Sequence, residues 1–208
     1  MQTSRKLKQI LTIFLIFIIL CSLVQLHHPV INLLDQWGFH FTDALPASSH
    51  QFWKQITALG APSTICWVTV ILVLLAQNWS QRLFLSSAVF FNLANAHRLK
   101  LFFCRPRPQL HHLIHVSGYS FPSGHANAIT VLVLAIYLLY WQKKPPKGAA
   151  LVGTLVVVGV LLSRVVLHVH YLSDVLAGSL YAIATTELIW WLFFDNQSII
   201  SYYANPKD

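Results

Sequence analysis

Six apolar runs, at positions 7–26, 59–76, 83–103, 126–141, 148–169 and 175–194, take up most of the chain. Each approaches the roughly 20 residues needed to cross a hydrocarbon core as a helix, and short polar connections separate most of them. The expected architecture is all-α, a six-transmembrane-helix bundle forming a single membrane-embedded domain over 1–208. Neither 27–55 nor 104–125 is apolar enough to build a separate soluble core. The first of these stretches carries Trp37, Phe39, Phe41, Phe52 and Trp53 and reads as an interfacial segment lying on the bilayer. No repeat of fixed period and no half-to-half symmetry is visible.

Composition agrees with the pattern: 56% of the 208 residues are apolar and 10% charged, far from a soluble globular protein. The net charge of +8 would suit nucleic acid only if the cations formed a solvated face. They sit at the ends of apolar runs instead, so no nucleic-acid partner is expected. Cys21, Cys66 and Cys104 are far apart and match neither a disulfide framework nor a zinc site. Arg5, Lys6 and Lys8 precede the first run as in a signal peptide, but no small-x-small cleavage site follows, so it is expected to be a retained span.

Counting Lys and Arg by side orients the bundle. Arg5, Lys6, Lys8, Arg82, Lys143, Lys144, Lys147 and Lys207 share the side expected to be cytoplasmic, with the 143–147 turn as the strongest signal. Lys54, Arg98, Lys100, Arg105, Arg107 and Arg164 lie on the opposite side, against the usual bias.

Three of those opposing cations belong to a chemical pattern. Lys100 and Arg107-Pro108 follow the third run, Pro122-Ser123-Gly124-His125 opens the fourth, and Ser163-Arg164 with His170 and Asp174 straddles the turn between the last two. All three segments fall at the same end of the bundle and can close on one ligand. With a four-residue step, Asp174 can accept a hydrogen bond from one ring nitrogen of His170, leaving the other as a nucleophile toward phosphorus. Asp174 would equally serve as a cap for the last helix. A Ser-Gly turn opening a helix favours an anion, and His125 is suited to pass a proton to a leaving oxygen and take one from water. Lys100, Arg107 and Arg164 supply positive charge for the transferring phosphoryl group, while Arg98 and Arg105 read as lipid-headgroup anchors.

Together, Lys100-x6-Arg107-Pro108, Pro122-Ser123-Gly124-His125 and Ser163-Arg164-x5-His170-x3-Asp174 resemble the tripartite signature of the type 2 phosphatidic acid phosphatase superfamily, with eleven specified residues in order. The resemblance implies a histidine nucleophile at His170, an acid/base at His125, an orienting Asp174, and a phosphate cradle of Lys100, Arg107, Ser123, Gly124 and Arg164. It implies no metal and no cofactor. The expected activity is hydrolysis of a phosphomonoester or pyrophosphate on a membrane lipid through a phosphohistidine, at the outer face of a multi-pass, bacterial cell-membrane protein. Undecaprenyl pyrophosphate is the leading substrate, with phosphatidylglycerophosphate or phosphatidate as the alternative. A vanadate-dependent haloperoxidase would use the same residues in a soluble protein. A lipid transporter or scramblase would need the cations but not the two imidazoles with their carboxylate. The partners are the lipid phosphate and surrounding membrane lipids; the oligomeric state is left open.

Three further features have plainer readings. His111, His112 and His115 form an exposed polar loop rather than a metal site, since no carboxylate or cysteine lies nearby. His168 is a rival nucleophile without the four-residue step to Asp174. Glu187, inside the last run, should pair with a bundle-facing polar residue, for which Asn92 and Asn95 are candidates.

Overall fold

The computed structural model describes residues 2–141 and 146–195, which form helices and loops with no strand among them. Helix α1 is Gln2–Gln25, α2 Pro29–Asp43, α3 His50–Ala58, α4 Pro62–Leu75, α5 Trp79–Phe103, α6 Gly124–Ile136, α7 Ala149–Val166 and α8 Leu172–Trp190. π-helical stretches prolong α6 over Tyr137–Trp141 and α8 over Trp191–Asp195.

The boundaries follow local chemistry. Pro29 and Pro62 occupy the first turns of α2 and α4, where a missing N–H costs nothing. The Asn78 side chain accepts from Gln81 N–H to start α5. That helix ends at Cys104 in the left-handed region, φ 48°, and Pro106 and Pro108 bar its continuation.

Four helical segments are long and apolar enough to cross a membrane: Ser4–Gln25, Gly124–Trp141, Ala149–Val166 and Leu172–Asp195. A fifth exists if Ala47–Ala58 and Pro62–Leu75, bent by 42° at the Gly60–Pro62 break, act as one broken span. This makes the chain a multi-pass membrane protein. The expected second span is thus too short by itself, and α4 needs α3 to complete it. The expected third span forms as α5, whose 25 residues reach about 37 Å at 1.5 Å each, but Asn92, Asn95, Arg98 and Lys100 dilute its hydropathy. Lys143, Lys144 and Lys207 lie outside the described residues.

Helix α6 is the centre, packed by α4, α5, α7 and α8, while α1 lies along α8. The main core joins Ile65, Phe84, Leu85, Ala88, Val131, Leu132, Val160 and Trp190; a second joins Phe17, Cys21 and Val24 of α1 to Phe121, Ala177 and Tyr181. With lipid outside, small residues and internal polar bonds hold such helices. At Gly178 of α8 an added Cβ would stand 2.5 Å from the Ser123 carbonyl oxygen, so only glycine lets α8 approach the start of α6. Below it, Asn92 Oδ1 accepts from Asn127 Nδ2 at 3.0 Å and Thr185 Oγ at 2.9 Å, tying α5, α6 and α8 together.

The stretch 27–55 is more than an interfacial ribbon. Helix α2 turns Ile31, Asp35, Gly38 and Thr42 inward against α7 and α8, leaving Trp37 and Phe41 exposed. Glu187 pairs with Lys6 of α1 at 3.3 Å, and Lys6 also meets Asp195 at 2.7 Å. This corrects the expected pairing of Glu187 with Asn92 or Asn95: Asn92 is committed to its buried network, and Asn95 donates to the Phe91 carbonyl.

Candidate active site

The turn between α7 and α8 places His170 at the centre of the polar end of the bundle, 2% exposed. Its Nδ1 lies 3.3 Å from Asp174 Oδ2, although α8 begins only at Leu172 and His170 sits in the turn before it. Asp174 is fully buried and spans two tasks. Its Oδ2 also accepts the Tyr171 N–H at 3.0 Å, capping the helix, while Oδ1 accepts from Arg105 Nη1 at 2.6 Å. Capping the helix and orienting the ring are therefore done by one carboxylate.

The other ring nitrogen fixes the tautomer. His170 Nε2 lies 3.4 Å from Arg107 Nη1, and a guanidinium can only donate. Nε2 is therefore the unprotonated nitrogen, and the proton sits on Nδ1 facing Asp174. Burial, followed by the charges of Arg164, Lys100 and Arg107, holds His170 well below the usual imidazole range, so the ring is neutral. A buried, neutral ring whose unprotonated Nε2 faces the cation cluster is a competent nucleophile.

Arg107 is itself aimed by three carbonyls: Val169 at 2.7 Å, Ser117 at 2.9 Å and Gly118 at 3.0 Å. Lys100 Nζ donates to Tyr119 and Ser120 carbonyls at 2.8 and 3.0 Å, from the last turn of α5. Arg164 is 2% exposed; its Nη1 donates to Thr57 Oγ1 at 2.7 Å, whereas its Nε has no partner. A buried cation with an unmatched donor suits an anion as its remaining partner.

Ser123 and Gly124 come from the start of α6. The Ser123 N–H donates to the Asp174 carbonyl at 3.0 Å, tying this turn to α8, and its Oγ lies 3.5 Å from the Ala126 N–H. The first amides of the helix have no intrahelical acceptor, and the space where a Gly124 side chain would stand is open. His125 follows on α6, and its side chain makes no hydrogen bond among the described residues. The structure thus gathers all eight residues marked in the sequence, His170, His125, Asp174, Lys100, Arg107, Ser123, Gly124 and Arg164, at one end of the bundle.

One sequence reading needs revision here. Arg105 is no headgroup anchor: it is half-buried, paired with Asp174 and, through Nη2 at 2.7 Å, with Asp35 of α2. Burial alone would lower the guanidinium, but the charges of Asp174 and Asp35 raise it above its ordinary value. Asp35 and Thr57 were not marked at all, because the only signal was a lone polar residue in an aromatic-rich stretch. His168 does have a carboxylate, Asp43 at 3.1 Å, but it faces that residue and the His111 carbonyl rather than the Arg107 cluster. His112 Nε2 lies 2.9 Å from the Pro108 carbonyl, and no group of three or more His, Cys, Asp or Glu converges at metal-binding geometry among the described residues.

Comparison with known proteins agrees with the fold. The chain is 35% identical over 132 residues to phosphatidylglycerophosphatase B of Bacillus subtilis (strain 168); the match spans 59% of this chain and 64% of that protein's length. Its fold superimposes on the crystal structure of a transmembrane PAP2-type phosphatidylglycerolphosphate phosphatase from B. subtilis with a TM-score of 0.76 and 26% identity, covering 90% of this chain and 96% of the other. Aquifex aeolicus LpxE shares the fold at a TM-score of 0.64 and 19% identity, over 76% and 94% of the two chains. The model of the PAP2 superfamily matches residues 81–198, more than half the chain and all three signature segments, and the protein belongs to that superfamily.

Proposed function

We propose that this protein is a metal-independent lipid phosphatase acting through a phosphohistidine on His170. The observation that carries the reading is the polarised His170 ring, with Nδ1 on Asp174 and Nε2 bare beside Arg107. Nε2 attacks phosphorus, the bond from phosphorus to the lipid oxygen breaks, and His125 supplies the proton that the departing oxygen needs. Asp174 stabilises the positive ring of the intermediate. His125 then takes a proton from water, the water oxygen attacks phosphorus, and cleavage of the N–P bond returns the electron pair to Nε2 and releases inorganic phosphate. Lys100, Arg107, Arg164 and the amides beside Ser123 and Gly124 hold the equatorial oxygens throughout.

The substrate order expected from sequence is reversed. The relatives similar in sequence and in fold are named for phosphatidylglycerophosphate, which favours that phosphomonoester lipid over undecaprenyl pyrophosphate. Six crossings are reached if α5 spans beside the broken α3–α4 pair. The site then faces outside the cytoplasm of a bacterial cell, with Arg5, Lys6, Lys8, Arg82 and Lys147 inside.

The test is phosphate release by purified protein from phosphatidylglycerophosphate, phosphatidate and undecaprenyl pyrophosphate, with chelator present and with vanadate added. Turnover that survives chelator, is fastest on phosphatidylglycerophosphate and is inhibited by vanadate supports the reading. Lipid movement without phosphate release would make the protein a transporter or scramblase. For sidedness, His112→Cys and Lys147→Cys in a cysteine-free background should react with an impermeant thiol reagent in intact cells at the first position and only after lysis at the second. The reverse pattern would put the site in the cytoplasm.

A further inference from the structure

Arg105 differs from the other cations of this site in what its donors reach. Nη1 is shared by Ser173 Oγ at 2.8 Å and Asp174 Oδ1 at 2.6 Å, and Nη2 is taken by Asp35 Oδ2 at 2.7 Å. The guanidinium also lies flat against Tyr171, 4.1 Å from the ring centroid. Both terminal nitrogens are thus committed to protein, whereas Arg107 directs one of its own toward His170 Nε2.

Asp35 holds the other side of the same turn. Its Oδ1 accepts the Ser173 N–H at 2.9 Å and its Oδ2 accepts the Ser173 hydroxyl at 3.0 Å, in addition to Arg105. Asp35 is 4% exposed and Asp174 fully buried. Two carboxylates are expensive to bury, and one guanidinium offsets both. The nearest alternative, a purely packing role, would not require a charged group on a helix face otherwise made of Ile31, Gly38 and Thr42.

Resting on the phosphatase reading, we infer that Asp35 and Arg105 are a positioning pair for the His170–Asp174 dyad. By occupying Oδ1, Arg105 leaves Oδ2 for His170 and the Tyr171 amide, so the carboxylate meets the ring with one defined oxygen. Asp35 draws off the second half of the guanidinium and pins Ser173, fixing the residue next to Asp174. The chain from α2 through Arg105 to α8 thereby sets the angle at which Nε2 faces the phosphate. Neither Asp35 nor Arg105 touches substrate; both act through Asp174.

The experiment uses the full-length protein in detergent with a lipid phosphate that the parent protein cleaves, comparing Asp35→Asn, Arg105→Lys, Arg105→Met and the Asp35→Asn/Arg105→Met double variant. Loss of the group that orients a reacting ligand typically lowers activity 10- to 100-fold, so kcat should fall about 10-fold in Asp35→Asn and about 100-fold in Arg105→Met. KM and the inorganic phosphate concentration for half inhibition should stay within about 3-fold, because the phosphate cradle is untouched. Arg105→Lys, which keeps the charge but not the fork, should recover roughly 5-fold over Arg105→Met. The double variant should be no worse than Arg105→Met, since the two residues act as one unit.

A kcat within about 3-fold of the parent in folded Asp35→Asn and Arg105→Lys overturns the inference. So does a loss of inorganic phosphate affinity in step with kcat, which would place Arg105 in the phosphate cradle. If Arg105→Met does not fold, Asp35→Asn, which is isosteric, and Arg105→Lys, which keeps the charge, decide the question. Failure of the parent protein to release phosphate from any lipid is a different result, seen before any variant is made, and it overturns the phosphatase reading together with this one.

Discussion

Gly178→Ala is the smallest change that should damage the site without touching a polar group. The new Cβ would meet the Ser123 carbonyl oxygen at 2.5 Å, the Asn127 amide nitrogen at 3.3 Å and the Ala126 Cβ at 3.4 Å. Ordinary contact begins near the last of these, so α6 and α8 must part by roughly 0.9 Å, the gap between 2.5 and 3.4 Å. Two of the three neighbours are backbone atoms of the α6 N-terminus, so no flexible side chain can absorb the clash. Overpacking of this kind costs about 1–3 kcal/mol, against which alanine returns up to about 1 kcal/mol of helix propensity. The net loss is therefore about 0–2 kcal/mol, small enough for the protein to stay folded. The displaced segment carries Ser123, Gly124 and His125, and a shift near 1 Å can cost about 100-fold in rate, so kcat should fall about 10- to 100-fold. Gly159→Ala is the control: its Cβ would meet only Ile56 Cγ2 at 3.5 Å, an ordinary contact, and both stability and turnover should match the parent. The assay is phosphate release alongside thermal unfolding in the same detergent. Full activity in Gly178→Ala, or an equal loss in Gly159→Ala, would refute the reasoning.

Stability should also depend on pH through His170. Its ring is depressed in the fold and ordinary in the unfolded chain, so the unfolded state binds the extra proton below about pH 6.5 and stability is lost as pH falls through that range. Thermal unfolding from pH 7 to 5 should show this slope, and His170→Gln should reduce it; an unchanged slope in the variant would contradict the burial argument. Asn92→Ala should lower stability by about 1 kcal/mol, because Asn127 Nδ2 is left with only the Gly178 carbonyl at 3.4 Å, whereas Thr185 Oγ1 keeps the Tyr181 carbonyl at 2.7 Å. A loss below about 0.3 kcal/mol would mean that the Asn92–Asn127 bond adds nothing.

The eight residues gathered at the site were legible because each of the three segments carries its own local pattern, even where the bonds between segments, such as that of Arg107 with His170, join residues 63 positions apart. His170 and Asp174 are one helical step apart, and Ser123-Gly124 announces a helix start wherever it occurs before an apolar run. Arg105 was misread for the opposite reason. Its carboxylates lie 69 and 70 positions away, and a cation at a helix end looks the same whether it faces lipid headgroups or a buried acid. Asp35 was hidden likewise, because its helix shows aromatic residues on the outer face and only the packing reveals which side turns inward. The helices were visible as apolar runs, but crossing number was not. The Gly60–Pro62 break divides one run from the amphipathic α3 that completes it, and α5 trades hydropathy for the Asn92 network and the cations of the site. Glu187 illustrates the same limit: the nearest polar residues in the bundle were plausible partners, yet Lys6 at the end of α1 carries the opposite charge and reaches it.

The central claim is that phosphoryl transfer passes through His170 Nε2. The direct measurement is to quench purified protein within its first turnovers on a phosphate-labelled lipid, under alkaline conditions that preserve phosphohistidine, and to locate the label by peptide mapping. Label on His170 in the parent protein, absent from folded His170→Ala together with turnover, is the predicted result. Label on His168 or on any other residue, or sustained turnover in His170→Ala, would contradict the account.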